Sequence, residues 1–167
     1  QADAVITSGG VSVGEADHTK ATMRKLAGSS IAFWKIAMRP GRPMAVGRVG
    51  NCTLFGLPGN PVAVMVTFLA FVRPALLKMM GSNAQPLPLL KAQAQHAIRK
   101  RPGRTEYQRA QVQVGANGQL QARITGNQGS GILSSMVQAH GLLVLPHDQG
   151  DIAAGDTVNL MMFDGVI

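Results

Sequence analysis

The chain has 167 residues, 46% apolar and 14% charged against about 25% charged in an average globular protein, so it is long and apolar enough to bury a core. A disordered tail is excluded. The one cysteine, Cys52, excludes an internal disulfide and a multi-thiolate metal site and fits a reducing compartment. The net charge of +8 is uneven: residues 1–17 hold three acids and no Lys or Arg, residues 18–105 hold fourteen Lys and Arg and no acid, and residues 106–167 hold five acids and two Arg. Such cations are either solvated or face an anion from outside the segment, whether nucleic acid, an anionic membrane or a phosphorylated small molecule.

The chain opens without an initiator Met or a signal-peptide pattern and reads as starting inside a domain. Ala4-Val5-Ile6-Thr7 predicts a buried strand that enters the loop Ser8-Gly9-Gly10-Val11-Ser12-Val13-Gly14. Asp17 suits a helix cap, His18–Ala27 a helix, and Gly28 the position after its end. Ile31–Met38 predicts one strand, broken by Arg39-Pro40-Gly41-Arg42-Pro43. Met44–Arg48 and Cys52–Gly56 predict two more, joined by the turn Val49-Gly50-Asn51.

In Leu57-Pro58-Gly59-Asn60-Pro61, Asn60 suits an N-cap and Pro61 the first helical position, with a helix over Val62–Met80 and a kink at Pro74. Its apolar circumference over Val62–Val72 implies burial on more than one side, in a core or against a second copy. The longest apolar stretch, Pro61–Val72, is about 12 residues and falls short of a membrane span, so a soluble protein is expected. Residues 83–88 have linker composition. Beyond them Leu89–Ile98, Tyr107–Val114, Gln119–Thr125, Leu142–Leu145 and Thr157–Met162 read as strands, with a hairpin at Gly115-Ala116-Asn117-Gly118. The pattern divides the chain near Pro86 into an α/β part and a small all-β part of about 80 residues.

Two segments share one design: strand, Gly- or Pro-rich loop, helix start. In a parallel sheet both loops would leave the carboxyl edge, where ligands of α/β sheets bind, and free N–H groups there suit an anion. Plain loop closure is the alternative. Neither segment keeps the P-loop or dinucleotide spacing. Glu15 and Asp17 would hold Mg²⁺ beside a phosphate, or Asp17 would simply cap the helix. Lys35 and Arg39 alternate with apolar neighbours and share a polar strand face; with Arg42 they form a cationic wall or stay solvated. The four His show no metal-ligand spacing, and Arg99-Lys100-Arg101 with Arg104 reads as a solvated loop. With only Tyr107 near that run, a nucleic-acid patch is not favoured.

The motifs Ser8-Gly9-Gly10-Val11-Ser12-Val13-Gly14-Glu15-Ala16-Asp17, Phe33-Trp34-Lys35-Ile36-Ala37-Met38-Arg39-Pro40-Gly41-Arg42-Pro43 and Gly56-Leu57-Pro58-Gly59-Asn60-Pro61-Val62, in that order, resemble the molybdopterin molybdenumtransferase family, which includes the gephyrin E domain. Pro102-Gly103-Arg104 with Tyr107-Gln108-Arg109, and Gln128-Gly129-Ser130-Gly131, are similar to its C-terminal β domain. The resemblance implies a fold, with residues 1–82 the later part of an α/β domain of mostly parallel sheet with flanking helices, 83–88 a linker and 89–167 a small all-β, barrel-like domain. It also implies molybdenum cofactor biosynthesis, in which molybdenum from molybdate enters adenylylated molybdopterin with release of AMP, in a Mg²⁺-dependent step. It implies that Ser8, Gly9, Gly10, Ser12 and Gly14 line a ligand loop. Asp17, with Glu15, would serve the metal, Lys35 and Arg39 would face phosphate or oxyanion, and Pro58, Gly59, Asn60 and Pro61 would shape the pocket. Arg109 and Ser130 would close it. A cytoplasmic homodimer and a contact with the molybdopterin adenylyltransferase are implied partners, with no nucleic acid. Arg replaces the family's usual Lys at Arg39 and Arg42, keeping charge but changing donor geometry. The family's upstream part is missing, so the chain is expected to be a fragment without full activity. The alternatives are an adenylyltransferase-like enzyme, whose Arg-Asp-x-Thr-Pro-Glu stretch is absent after Gly14, and a non-catalytic scaffold module.

Overall fold

The computed structural model describes residues 2–9, 11, 18–83 and 86–163, in two units: Gln1–Ile36 with Pro40–Ala84, and Ala37–Arg39 with Gln85–Ile167. In the first, β1 (Ala4–Ser8) leads to α1 (His18–Ala27), whose end is marked by Gly28 at φ 54°. Ile31–Met38, expected as one strand, is two. β2 (Ala32–Lys35) stays in the first unit, whereas β3 (Met38–Arg39) pairs in parallel with Thr105 and Glu106 of the second. The sheet is completed by β4 (Pro43–Val49) and β5 (Cys52–Leu57), in the order β1-β5-β4-β2. It is mixed rather than mostly parallel. β1 runs parallel to β5, but the tight turn at Gly50, with φ 60°, returns β5 antiparallel to β4, and β2 is antiparallel to β4 as well.

Period-two alternation covers both faces of this sheet. Ala45 and Leu54 join Val11 and Met23 on one side, while Met44, Phe55 and Leu57 join Val72 on the other. Gly56 stands where no side chain fits: a Cβ there would lie 2.7 Å from Met23 Cε, 2.8 Å from Val11 Cγ1 and 3.1 Å from Ala45 Cβ.

The helix after β5 runs as α2 (Pro61–Thr67), a π turn at Phe68–Val72 and α3 (Arg73–Met79). The Arg73 N–H reaches back to the Phe68 carbonyl, five residues away. That widened turn immediately precedes Pro74, which lacks an N–H and crowds the carbonyl four residues before it. Val62, Val66, Leu69 and Val72 are buried, and Phe71, Met79 and Met80 are exposed. Taken whole, the 19-residue helix Pro61–Met79 is long and apolar enough by length and composition to cross a membrane, which corrects the expectation of a stretch too short to span. A core helix passes the same test, and this one packs Val64, Val72, Ala75 and Leu76 against the sheet cluster of Met44, Phe55 and Leu57.

The second unit holds β6 (Leu90–Ala94), β7 (Thr105–Val114), β8 (Leu120–Ile124), the one-turn helix α4 (Ser134–Val137), β9 (Gly141–Leu145) and β10 (Thr157–Met162). The order β7-β8-β6-β10-β9 closes on itself because the ten-residue β7 pairs with β8 through Ala110–Val114 and with β9 through Glu106–Ala110. The result is the expected small barrel, five-stranded, with β3 extending β7. Closure leaves few open strand edges. Its narrow interior is filled by small residues from β6, β7 and β8 (Ala92, Ala94, Ala110, Ala122) and by larger Leu143, Leu145, Val158 and Leu160 from β9 and β10.

Candidate functional site

The parallel pairing of β1 with β5 sets Ser8 opposite Leu57, so the two loops that follow leave the same sheet edge. Gly9, at φ 84°, donates its N–H to the carbonyls of Leu57 (3.1 Å) and Pro58 (3.2 Å). A Cβ built on Gly59 would lie 3.5 Å from the Gly9 Cα, so the backbones meet glycine to glycine. Asn60 takes the N-cap backbone conformation (φ −73°, ψ 128°) without a side-chain cap bond, and Pro61 opens the helix. Gly10, Ser12, Gly14, Glu15 and Asp17 lie outside the described residues. Among the described residues no three His, Cys, Asp or Glu cluster as a metal site.

Lys35 and Arg39 do not share a strand face: Lys35 ends β2 in the first unit, and Arg39 lies in β3, in the second. Both are exposed. Arg39 borders an open cleft of 830 Å³ in the second unit, lined also by Arg99, Lys100, Arg101, Pro102, Arg104, Glu106, Gly150 and Asp151. The cleft lies at the end of the barrel where β7 begins. There Glu106 and Gln108 share the parity of Ala110, a core residue, and are buried. Arg104 donates its Nε–H to Glu106 Oε1 (2.8 Å), and Gln108 Nε2 donates to Glu106 Oε2 (3.0 Å).

Arg109 is 1% exposed, and its guanidinium is committed within the second unit. Nε donates to Ser135 Oγ (3.0 Å), Nη1 to the Gln128 carbonyl (3.2 Å), and Nη2 to the carbonyls of Asn127 (3.3 Å) and Gly129 (3.0 Å). Its backbone N–H is held by Gln128 Oε1 at 2.8 Å. No carboxylate faces it among these partners. Burial, and then the charge of Arg39, push its pKa below the usual arginine value. Burial also raises the Tyr107 phenol above its usual value. Ser130 follows directly on the Asn127–Gly129 segment that Arg109 fastens.

Comparison with known proteins fits this two-part layout. Residues 1–78 match the family described as "probable molybdopterin binding domain", and residues 91–163 match the "MoeA C-terminal region (domain IV)". The chain is 41% identical over its whole length to the molybdopterin molybdenumtransferase of Haemophilus influenzae, covering 41% of that protein. Along its whole length the chain resembles the molybdopterin molybdenumtransferases. It is also 31% identical to gephyrin of Dictyostelium discoideum, over 97% of this chain and 26% of that one. The solved molybdopterin biosynthesis moeA protein of Pyrococcus horikoshii superposes with a TM-score of 0.75 at 26% identity, over 98% of this chain and 38% of the other. The chain thus spans well under half the length of these relatives.

Sequence reasoning passed over Arg99, Lys100, Arg101 and Arg104 as a solvated loop, and over Gln128 and Ser135 altogether. A signal for the loop existed: Gly103, at φ 97°, donates its N–H to the His147 carbonyl at 2.9 Å, so the basic run sits in a fixed turn. Nothing local could have placed Arg39 and Asp151 beside it.

Proposed function

We propose that this chain serves molybdenum cofactor biosynthesis as part of a molybdopterin molybdenumtransferase, which transfers molybdenum from molybdate to adenylylated molybdopterin and releases AMP. The observation that carries the reading is the meeting of Gly9 and Gly59 where parallel β1 and β5 end, with side-chain-free backbone on both loops. Such an edge lets a flat, phosphorylated heterocycle approach the main chain closely. In this reading Ser8, Gly9, Gly10, Ser12 and Gly14 form one wall and Pro58, Gly59, Asn60 and Pro61 the other. Lys35 and Arg39 supply positive charge to phosphate or molybdate. Arg109 acts as a positioning residue: its guanidinium holds the Asn127–Gly129 carbonyls and thereby the backbone that carries Ser130. Glu15 and Asp17 would hold Mg²⁺, which neutralises phosphate charge when bound.

The domain division follows the same reading, with residues 1–82 as the later part of the pterin-binding domain, 83–88 a linker and 89–167 the β domain. A cytoplasmic homodimer is proposed on the exposed Phe71 and Met79 of the long apolar helix and Met80 just after it, together with a contact to the molybdopterin adenylyltransferase. The test is calorimetric titration of adenylylated molybdopterin. Saturable binding is expected, weakened about tenfold or more by Lys35→Ala and by Asp17→Ala, since each removes a charge-assisted contact. No binding, or binding indifferent to both changes, refutes the reading.

A further inference from the structure

We propose that the cleft at the barrel mouth of the second unit is an anion site for a small molecule carrying two or more phosphate charges, with Arg99, Arg101 and Arg104 as its ligating side chains and Arg39, already assigned to the pterin reading above, only at its border. Five cations line it against two carboxylates. Both carboxylates are already engaged, Glu106 by Arg104 and Gln108, and Asp151 Oδ1 by the Lys100 backbone N–H at 2.7 Å. Among the described residues no acid pairs with Arg39, Arg99 or Arg101. Three guanidinium groups without an ion-pair partner among the described residues thus line one open cavity, and a multiply charged anion can take charge-assisted hydrogen bonds from them.

The walls are built, not draped. Lys100 is 4% exposed, and its ammonium donates to the carbonyls of Gln149 (2.7 Å), Arg101 (3.3 Å) and His147 (3.4 Å), tying the basic turn to the opposite wall. Ile98 and Ile152 exchange both backbone hydrogen bonds, at 2.9 and 3.0 Å, just behind it. The buried ammonium has three carbonyl acceptors and no carboxylate, so its charge adds to the field in the cleft. The planar forks of arginine match phosphoryl oxygens in pairs. Among the described residues no aromatic side chain lines the cleft, so they offer no stacking platform of the kind that single-stranded nucleic acid uses.

The physiological source of the phosphates, whether the pterin substrate or a released phosphate product, rests on the reading above; the anion site does not. The experiment is calorimetry of the full chain with inorganic pyrophosphate, and separately with AMP, at about 0.15 M salt. One pyrophosphate per chain is expected. Arg99→Ala with Arg101→Ala should weaken it about a hundredfold, roughly tenfold per lost charge-assisted contact, with an unchanged melting curve. Arg104 is left intact because its removal would strand Glu106. Lys35→Ala, in the other unit, should leave pyrophosphate binding unaltered even where it abolishes pterin binding, which separates the two claims. Pyrophosphate binding that survives the double change, or no saturable binding at all, overturns the proposal. So does tighter, steeply salt-dependent binding to an oligonucleotide at the same arginines. If AMP binds with pyrophosphate-like affinity and the same arginine dependence, the two-charge monoester suffices and the site is confirmed at its lower bound.

Discussion

The two units hold their candidate binding surfaces by opposite means. At the β1–β5 edge of the first unit the surface is backbone: Gly9 and Gly59 approach because neither has a Cβ, and the Gly9 N–H is held by neighbouring carbonyls. In the barrel unit the surface is side-chain charge, with Arg109 buried among carbonyls and Arg39, Arg99, Arg101 and Arg104 around a cleft. A backbone surface is sensitive to added atoms and nearly indifferent to salt. A charged one is sensitive to removed atoms, and its contribution falls as salt screens it. On the proposed readings, one chain would meet an anion twice without using the same chemistry.

The sharpest way to break the contrast is to remove the charge that the barrel buries. Arg109→Met should cost about 3 kcal/mol or more, because the carbonyls of Asn127, Gln128 and Gly129 and the hydroxyl of Ser135 lose their donor together. Urea unfolding measures the loss, and amide exchange should accelerate across residues 125–136. Arg109→Lys should recover only part, since an ammonium cannot reach four acceptors in the geometry of a planar fork. A Met variant as stable as the parent would mean that the side chain does not hold this segment.

Legibility in the sequence followed the same divide. The glycine loops after β1 and β5 could be read because conformational freedom is written in the residue type, as were β4, β5 and the Gly115–Gly118 hairpin, where alternation and turn residues agree. Ile31–Met38 misled, since an unbroken apolar run does not mark where the chain leaves one sheet for another; the crossing falls at Ile36 and Ala37, inside the run. The π turn ahead of Pro74 was also hidden, because the proline signals an interruption but not how the helix absorbs it. The cationic cleft was the least legible part. Arg39, the Arg99–Arg104 turn and Gly150–Asp151 are distant in sequence, and only barrel closure through β7 and β9 brings them to one end.

On the first unit the contrast predicts damage from added atoms. Gly56→Ala should destabilise by about 1 to 3 kcal/mol, because the flexible Met23 tip can yield but Val11 Cγ1 at 2.8 Å and Ala45 Cβ at 3.1 Å belong to stiff side chains. The loss should be the same at low and high salt. A cost that shrinks with salt would mean charge was involved after all.

The smallest expected effect on stability carries the most information about the loops. Gly9→Ala forces a Cβ onto a residue at φ 84°, a cost of about 1 kcal/mol, while the built Cβ meets only the Gly59 Cα at 4.0 Å. Space is therefore not the obstacle; conformation is. The alanine chain can escape by rotating the Ser8–Gly9 backbone toward negative φ, which withdraws the N–H from the Leu57 and Pro58 carbonyls and moves the loop away from Gly59. Affinity for adenylylated molybdopterin should then fall by more than the tenfold or less that 1 kcal/mol of stability represents, while pyrophosphate binding in the barrel cleft stays as it was. Equal losses at both sites would mean that the two surfaces are one, and the contrast between them would fail.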